Sequence, residues 1–186
     1  VARVEPISVD VQPARYADLA RLSDTPDARF FANRFERQNN DRGVLFIAWL
    51  DDEPVGDVYL WLEDAEEFLL RKNLPGVALL THLEVFPGYR DLGIGTRIIE
   101  VVESHLNDLG HERAALAVRE DNERAARLYR RLGYTDWGHG RLVCFADVMC
   151  PGGRPGVAPE LCHVLVRQLD HNKSRVPRTL SSSAPG

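Results

Sequence analysis

The sequence predicts an α/β (α+β) protein: a mixed central sheet flanked by helices, folded as one domain. Three observations carry this. Apolar runs of strand length alternate with helix-spaced apolar segments. The runs 44–50 and 55–62 are joined by a short polar stretch, Asp51-Asp52-Glu53-Pro54, which is a hairpin signal. The last two strand-like runs, 142–148 and 162–169, have no helix between them, so the sheet is not purely parallel.

In chain order, residues 7–11 alternate weakly and read as an edge strand, and 16–23 and 29–38 carry helix-spaced apolar residues (Leu19, Leu22; Phe30, Phe31, Phe35). The hairpin follows. Residues 65–72 read as a short helix closed by Asn73 and Pro75, and 78–86 as a buried strand ended by Pro87-Gly88. The best helix comes next: Ile94, Ile98, Val101, Val102, Leu106 and Leu109 form one stripe, with Gly110 placed for a left-handed cap. Residues 114–118 are a short strand. Asp121 or Asn122 caps a further helix that runs to Leu132 and stops at Gly133. The Pro/Gly-rich stretch 151–159 reads as the loop joining the last two strands. Beyond Asp170 the chain turns basic and then Ser-rich, so the domain is expected over 1–170 and a flexible tail over 171–186.

Composition narrows the function. The chain has 186 residues, 44% apolar and 27% charged, enough for one domain with a sizeable core. A net charge of -5 argues against nucleic acid as the main partner, because neutralising phosphates needs a basic face. No apolar run approaches the ~20 residues that cross a bilayer, and residues 1–10 lack the basic-then-apolar pattern of a secretion signal. Cys144, Cys150 and Cys162 are odd in number and lack Cys-x-x-Cys spacing, which argues against a disulfide framework or a zinc site and fits a reduced, cytoplasmic setting.

The sharpest chemical feature is Tyr89-Arg90-Asp91-Leu92-Gly93-Ile94-Gly95-Thr96, placed after a strand and at the start of a helix. A helix N-terminus offers free N–H groups and about half a positive charge. Glycines 93 and 95 let a phosphate approach the main chain, and Arg90 adds a fixed charge. It is not a Walker A loop, since Thr96-Arg97 follows Gly95. It is not a dinucleotide fingerprint either, since Ile98 occupies the third small position.

Downstream lies Asn122-Glu123-Arg124-Ala125-Ala126-Arg127-Leu128-Tyr129-Arg130-Arg131-Leu132-Gly133-Tyr134. With Arg90-x-x-Gly93-x-Gly95, and Leu83-Glu84-Val85-Phe86-Pro87 before it, this segment resembles the GNAT acetyltransferase superfamily, over about residues 79–137. The resemblance implies a GNAT-like fold in which the pantetheine arm of acetyl-CoA inserts beside a splayed strand. By it, the main chain of Leu83 and Val85 meets the arm. The main-chain N–H groups of Arg90, Asp91, Leu92, Gly93, Ile94, Gly95 and Thr96 hold the pyrophosphate. Asn122 and Ala125 approach the cofactor. Tyr129 is the expected general acid, a phenol of pKa ~10 able to protonate a departing thiolate whose conjugate acid lies near ~8.5. Glu84 is the expected general base, with His82 and His139 as runners-up. No metal and no acyl-cysteine are expected.

The expected activity is transfer of an acetyl group from acetyl-CoA to a primary amine of a small molecule or peptide. The alternative is a non-catalytic acyl-CoA-binding sensor or interaction module; in either case the chain is expected as a monomer or homodimer. Asp51, Asp52, Glu53, Asp57, Glu63, Asp64, Glu66 and Glu67 form a stretch without Lys or Arg, which either solubilises the surface or steers a cationic acceptor. Trp49, Trp61 and Phe68 nearby are either an apolar wall or core. Arg124, Arg127 and Arg131 share a helical face that is either solvated or meets the cofactor's 3′-phosphate.

Overall fold

The structure is a computed structural model and describes residues 8–25, 27–150 and 154–170. The expected tail, 171–186, lies outside the described residues. Seven strands form one mixed sheet in the order β1-β2-β3-β4-β5-β7-β6. They are β1 (Asp10–Pro13), β2 (Gly43–Leu50), β3 (Glu53–Trp61), β4 (Ala78–Val85), β5 (Arg113–Arg119), β6 (Thr135–Cys150) and β7 (Arg154–Gln168). The helices are α1 (Tyr16–Leu22), α2 (Ala28–Gln38), α3 (Phe68–Asn73), α4 (Ile94–Asp108) and α5 (Glu123–Arg131). Among these pairings only β4–β5 is parallel. α4 lies between these two strands in the chain, because a parallel pair needs a crossover connection.

Both faces of the sheet are covered, which explains why the strands read as apolar runs rather than as alternating ones. On β2, Phe46 and Ala48 pack on one face with Ile94, Ile98, Val102 and Leu106 of α4. Leu45, Ile47 and Trp49 pack on the other with Leu22 of α1 and Phe31 and Phe35 of α2. Trp49 and Trp61 are therefore core, while Phe68 is exposed.

Two expectations are corrected. The hairpin turn is two residues long, since Glu53 and Pro54 already pair with Leu50 and Trp49. Asp51 and Asp52 both have positive φ, 48° and 66°, the geometry that matches the twist of paired strands. Residues 154–159 are strand rather than loop. β7 pairs with β5 as far as Cys162, opposite Arg119, and the Leu161 carbonyl still accepts from the Glu120 N–H, so only residues 154–160 pair in the sheet with β6 alone and a proline without an N–H is tolerated there.

The helix ends follow their signals. The Asn122 side chain accepts a hydrogen bond from the Ala125 N–H at 3.1 Å and so caps α5. Gly110 and Gly133 take φ of 84° and 91° just past α4 and α5.

Candidate active site

β4 and β5 pair only through Ala78↔Ala114 and Leu79↔Ala115, then part. The Phe86 N–H donates to the Val55 carbonyl on β3. By strand alternation the main chain of Val85, and of Leu83 before it, faces the other way, into the gap. There Arg90 Nε donates to the Val85 carbonyl at 3.1 Å. Two strand-length backbones thus leave polar groups facing a space that no protein strand fills.

A cavity of about 1230 Å³ opens from this gap. Its wall includes Leu83, Glu84 and Val85 from β4, Arg90, Asp91, Gly93, Ile94, Gly95 and Thr96 from the loop and first turn of α4, and Asn122 and Ala125 from α5. The main chain is left-handed at Asp91 (φ 66°) and Gly93 (φ 80°), which swings the loop back across the α4 N-terminus. A Cβ at Gly93 would meet nothing within 4 Å, so this glycine serves conformation. A Cβ at Gly95 would lie 3.3 Å from Leu128 Cδ2, so that glycine lets α4 and α5 pack closely, a reason distinct from phosphate approach.

The wall is basic although the chain is acidic. Arg90, Arg119, Arg124, Arg127 and Arg131 line it, against Glu84 and Asp91. Arg124 bonds Asp91 at 2.7 Å, and Arg131 reaches Thr96 Oγ1 at 3.3 Å, which ties α5 to the loop. Arginines beside a helix N-terminus suit a ligand carrying several phosphates, and the unpaired β4 main chain suits an extended amide-bearing arm.

Not every expected residue lies on this wall. Leu92 points outward, 45% exposed. Tyr129 is buried in the core and off the wall, its ring 5.9 Å from that of Tyr134, and burial pushes its phenol up to about 12. His139 is exposed and packs edge-on against Trp137. The acidic stretch does not gather at the cavity: Asp51 and Asp52 form the hairpin turn, and Glu63 pairs with Arg37 and Arg42. Cys144 and Cys162 are free and off the wall.

One grouping is more than the sequence reading expected. Asp57 on β3 has no exposed surface, and its Oδ2 lies 3.0 Å from Nδ1 of His82. The register slips between Asp57 and Tyr59, giving β4 an extra residue, and His82 takes φ of 52° there. Glu84, opposite Asp57 in the register, completes a cluster whose ligand-type atoms lie within 4.8 Å of one another. Burial raises the Asp57 carboxyl to about 6 despite the His82 hydrogen bond. Burial would lower His82, but the hydrogen bond and charge of Asp57, with Glu84 and Asp27, outweigh it and raise the imidazole. The sequence signal was Asp57 itself, a charge inside the otherwise apolar β3.

The GNAT acetyltransferase family model matches residues 12–134. No curated protein sequence matches the chain significantly. Solved structures share the fold. The ribosomal-protein-S18-alanine N-acetyltransferase of Escherichia coli is 16% identical with a TM-score of 0.61, over 87% of this chain and 94% of that one. NAA60 of Arabidopsis thaliana in complex with a bisubstrate analogue is 22% identical with a TM-score of 0.62, over 87% and 98%. The PaiA N-acetyltransferase of Thermoplasma acidophilum in complex with coenzyme A is 14% identical with a TM-score of 0.59, over 87% and 99%. With more than half of its residues inside the family model, and with the parted β4–β5 pair at its centre, this chain belongs to the GNAT acetyltransferase family.

Proposed function

We propose that the chain is an acetyl-CoA-dependent N-acetyltransferase acting on a primary amine of a small molecule or peptide. The observation that carries this is the basic cavity opening from the unpaired β4 main chain in a member of this family. Solved relatives in complex with acetyl-CoA or coenzyme A support the donor. Free Cys144 and Cys162 suit a reducing compartment such as the cytoplasm.

In direct transfer the amine nitrogen bonds the thioester carbon and the carbon–sulfur bond breaks. The main chain from Arg90 to Thr96, with the arginines of α5, holds the phosphates. Leu83 and Val85 align the arm, and the Val85 N–H meets the charge that develops on the carbonyl oxygen. Glu84 draws the ammonium group to the β4 side of the gap. Tyr129 supplies the proton for the departing thiolate. Its phenol stays protonated across the physiological range, because burial disfavours the phenolate.

The test is thiol release from acetyl-CoA over a panel of cationic small amines and peptides, with wild type and Tyr129→Phe. Turnover is expected in wild type, with kcat lower by about 10² to 10⁴ in the variant and acetyl-CoA affinity nearly unchanged. Binding of acetyl-CoA without turnover on any amine would favour the sensor. Full activity of the variant would remove Tyr129 from the mechanism.

A further inference from the structure

The proton that must leave the attacking ammonium needs an acceptor, and the cluster on β3 and β4 offers two. Glu84 is a partly exposed carboxylate whose nearest cation is Arg90, 3.9 Å away. His82 is held differently. Phe30 of α2 stacks on its ring at 3.8 Å between centroids, at 27°. Its Nδ1 faces a fully buried carboxylate, and its side chain keeps 31% exposure at the cavity wall. The register slip gives residue 82 a left-handed backbone, which costs ~1 kcal/mol or more for a non-glycine residue, and it sets the imidazole against Asp57.

Resting on the transferase reading, we propose that His82 rather than Glu84 is the proton acceptor, and that Asp57 is the residue that positions it. With Nδ1–H donating to Asp57 Oδ2, the lone pair sits on Nε2, the ring nitrogen remote from the buried partner. Nε2 takes a proton from the bound ammonium, which frees the nitrogen lone pair; as that nitrogen bonds the acetyl carbon, its second surplus proton leaves to solvent. Asp57 stabilises the imidazolium so formed. Tyr129 gives its own proton to sulfur and is reprotonated as the imidazolium discharges, so each turnover releases one proton to solvent. Among the described residues Asp57 Oδ1 has no hydrogen-bond partner although buried, and the one ion pair that Asp57 makes is with His82. The groups that face His82 are Asp57 from β3, Glu84 from β4 and Asp27 beside α2, all acidic; Arg90 lies beyond Glu84.

Two measurements test this. The first is the ¹⁵N titration of His82 in the ligand-free wild type, which needs neither turnover nor a variant. His82 is expected to titrate above its ordinary 6.5; a midpoint at or below 6.5 overturns the proposal. The second is the pH dependence of kcat/KM. Because the acting form is neutral imidazole, activity rises with pH through the same midpoint. In Asp57→Asn the acidic limb moves to lower pH by about one unit or more, since an ionised neighbour is removed. The plateau falls as well. In His82→Gln the plateau falls by about 10² or more. A wild-type limb in the carboxylate range, or one that stays in place in Asp57→Asn while Glu84→Gln moves it, overturns this inference and leaves the transferase standing. Absence of turnover on any amine overturns the transferase reading and this role with it.

Discussion

Asp57 shows what one residue contributes when its surroundings are dry. β3 is buried from Val55 to Trp61 because helices cover both sheet faces, so a carboxylate at position 57 has no route to water. Its carboxyl moves from 3.8 to about 6, which corresponds to about 3 kcal/mol. Between those two values the folded chain holds more protons than the unfolded one, so stability falls as pH rises through that window. His82 acts with the same sign: raised in the fold, it lends stability below 6.5 that is lost as pH climbs past its folded value. Asp57→Asn keeps the shape and removes the charge. It should flatten the fall in unfolding free energy between about pH 4 and about pH 6, by up to about 3 kcal/mol in urea titrations. An unchanged slope would mean that the cost lies elsewhere. The sequence showed Asp57 as one acid among eight, because composition along a strand does not reveal which faces are covered. His82 was legible as a candidate base, but its link to Asp57 depends on a register slip that no local pattern records.

Elements were legible where side chains punctuate the backbone. Asn122 as cap, Gly110 and Gly133 as stops, and the apolar stripe of α4 each act within a turn or two of themselves. β6 and β7 were legible only over 142–148 and 162–169; Gly138 and Gly140 fall in the register shift between Asp136 and Arg141, and Pro155 and Pro159 sit in strand because residues 154–160 pair with β6 alone. The β2–β3 turn offers a test at this scale. Asp52 holds φ of 66°, where glycine is less strained by roughly 1 kcal/mol. Arg21 donates to the Asp52 carbonyl, which any residue retains. Asp52→Gly should therefore raise Tm by about 2–4 °C with kcat/KM unaltered, as the turn is not on the cavity wall. A lower Tm would show that the Asp52 side chain stabilises the turn more than its backbone strains it.

Across the whole molecule, the order of the sheet places the gap at its centre, with β1 to β4 on one side and β5, β7 and β6 on the other. The fold class and the phosphate loop were readable from the sequence. The distribution of charge was not: a chain of net charge -5 turns five arginines toward one cavity, a fact of topology rather than composition. β4 and β5 are thus interior strands by position and margins by hydrogen bonding. Amide hydrogens at Leu83 and Val85 should trade for deuterium as fast as those of a surface strand, while Leu79, paired on both sides, holds its own. Saturating acetyl-CoA should slow Leu83 and Val85 and leave Leu79 unaffected, since the ligand takes the place of a missing neighbour. Exchange at Leu83 and Val85 that ignores the ligand would mean that the arm does not lie along β4. If it slows, the sheet is completed only during each catalytic cycle, and the protein is structurally finished by the molecule it consumes.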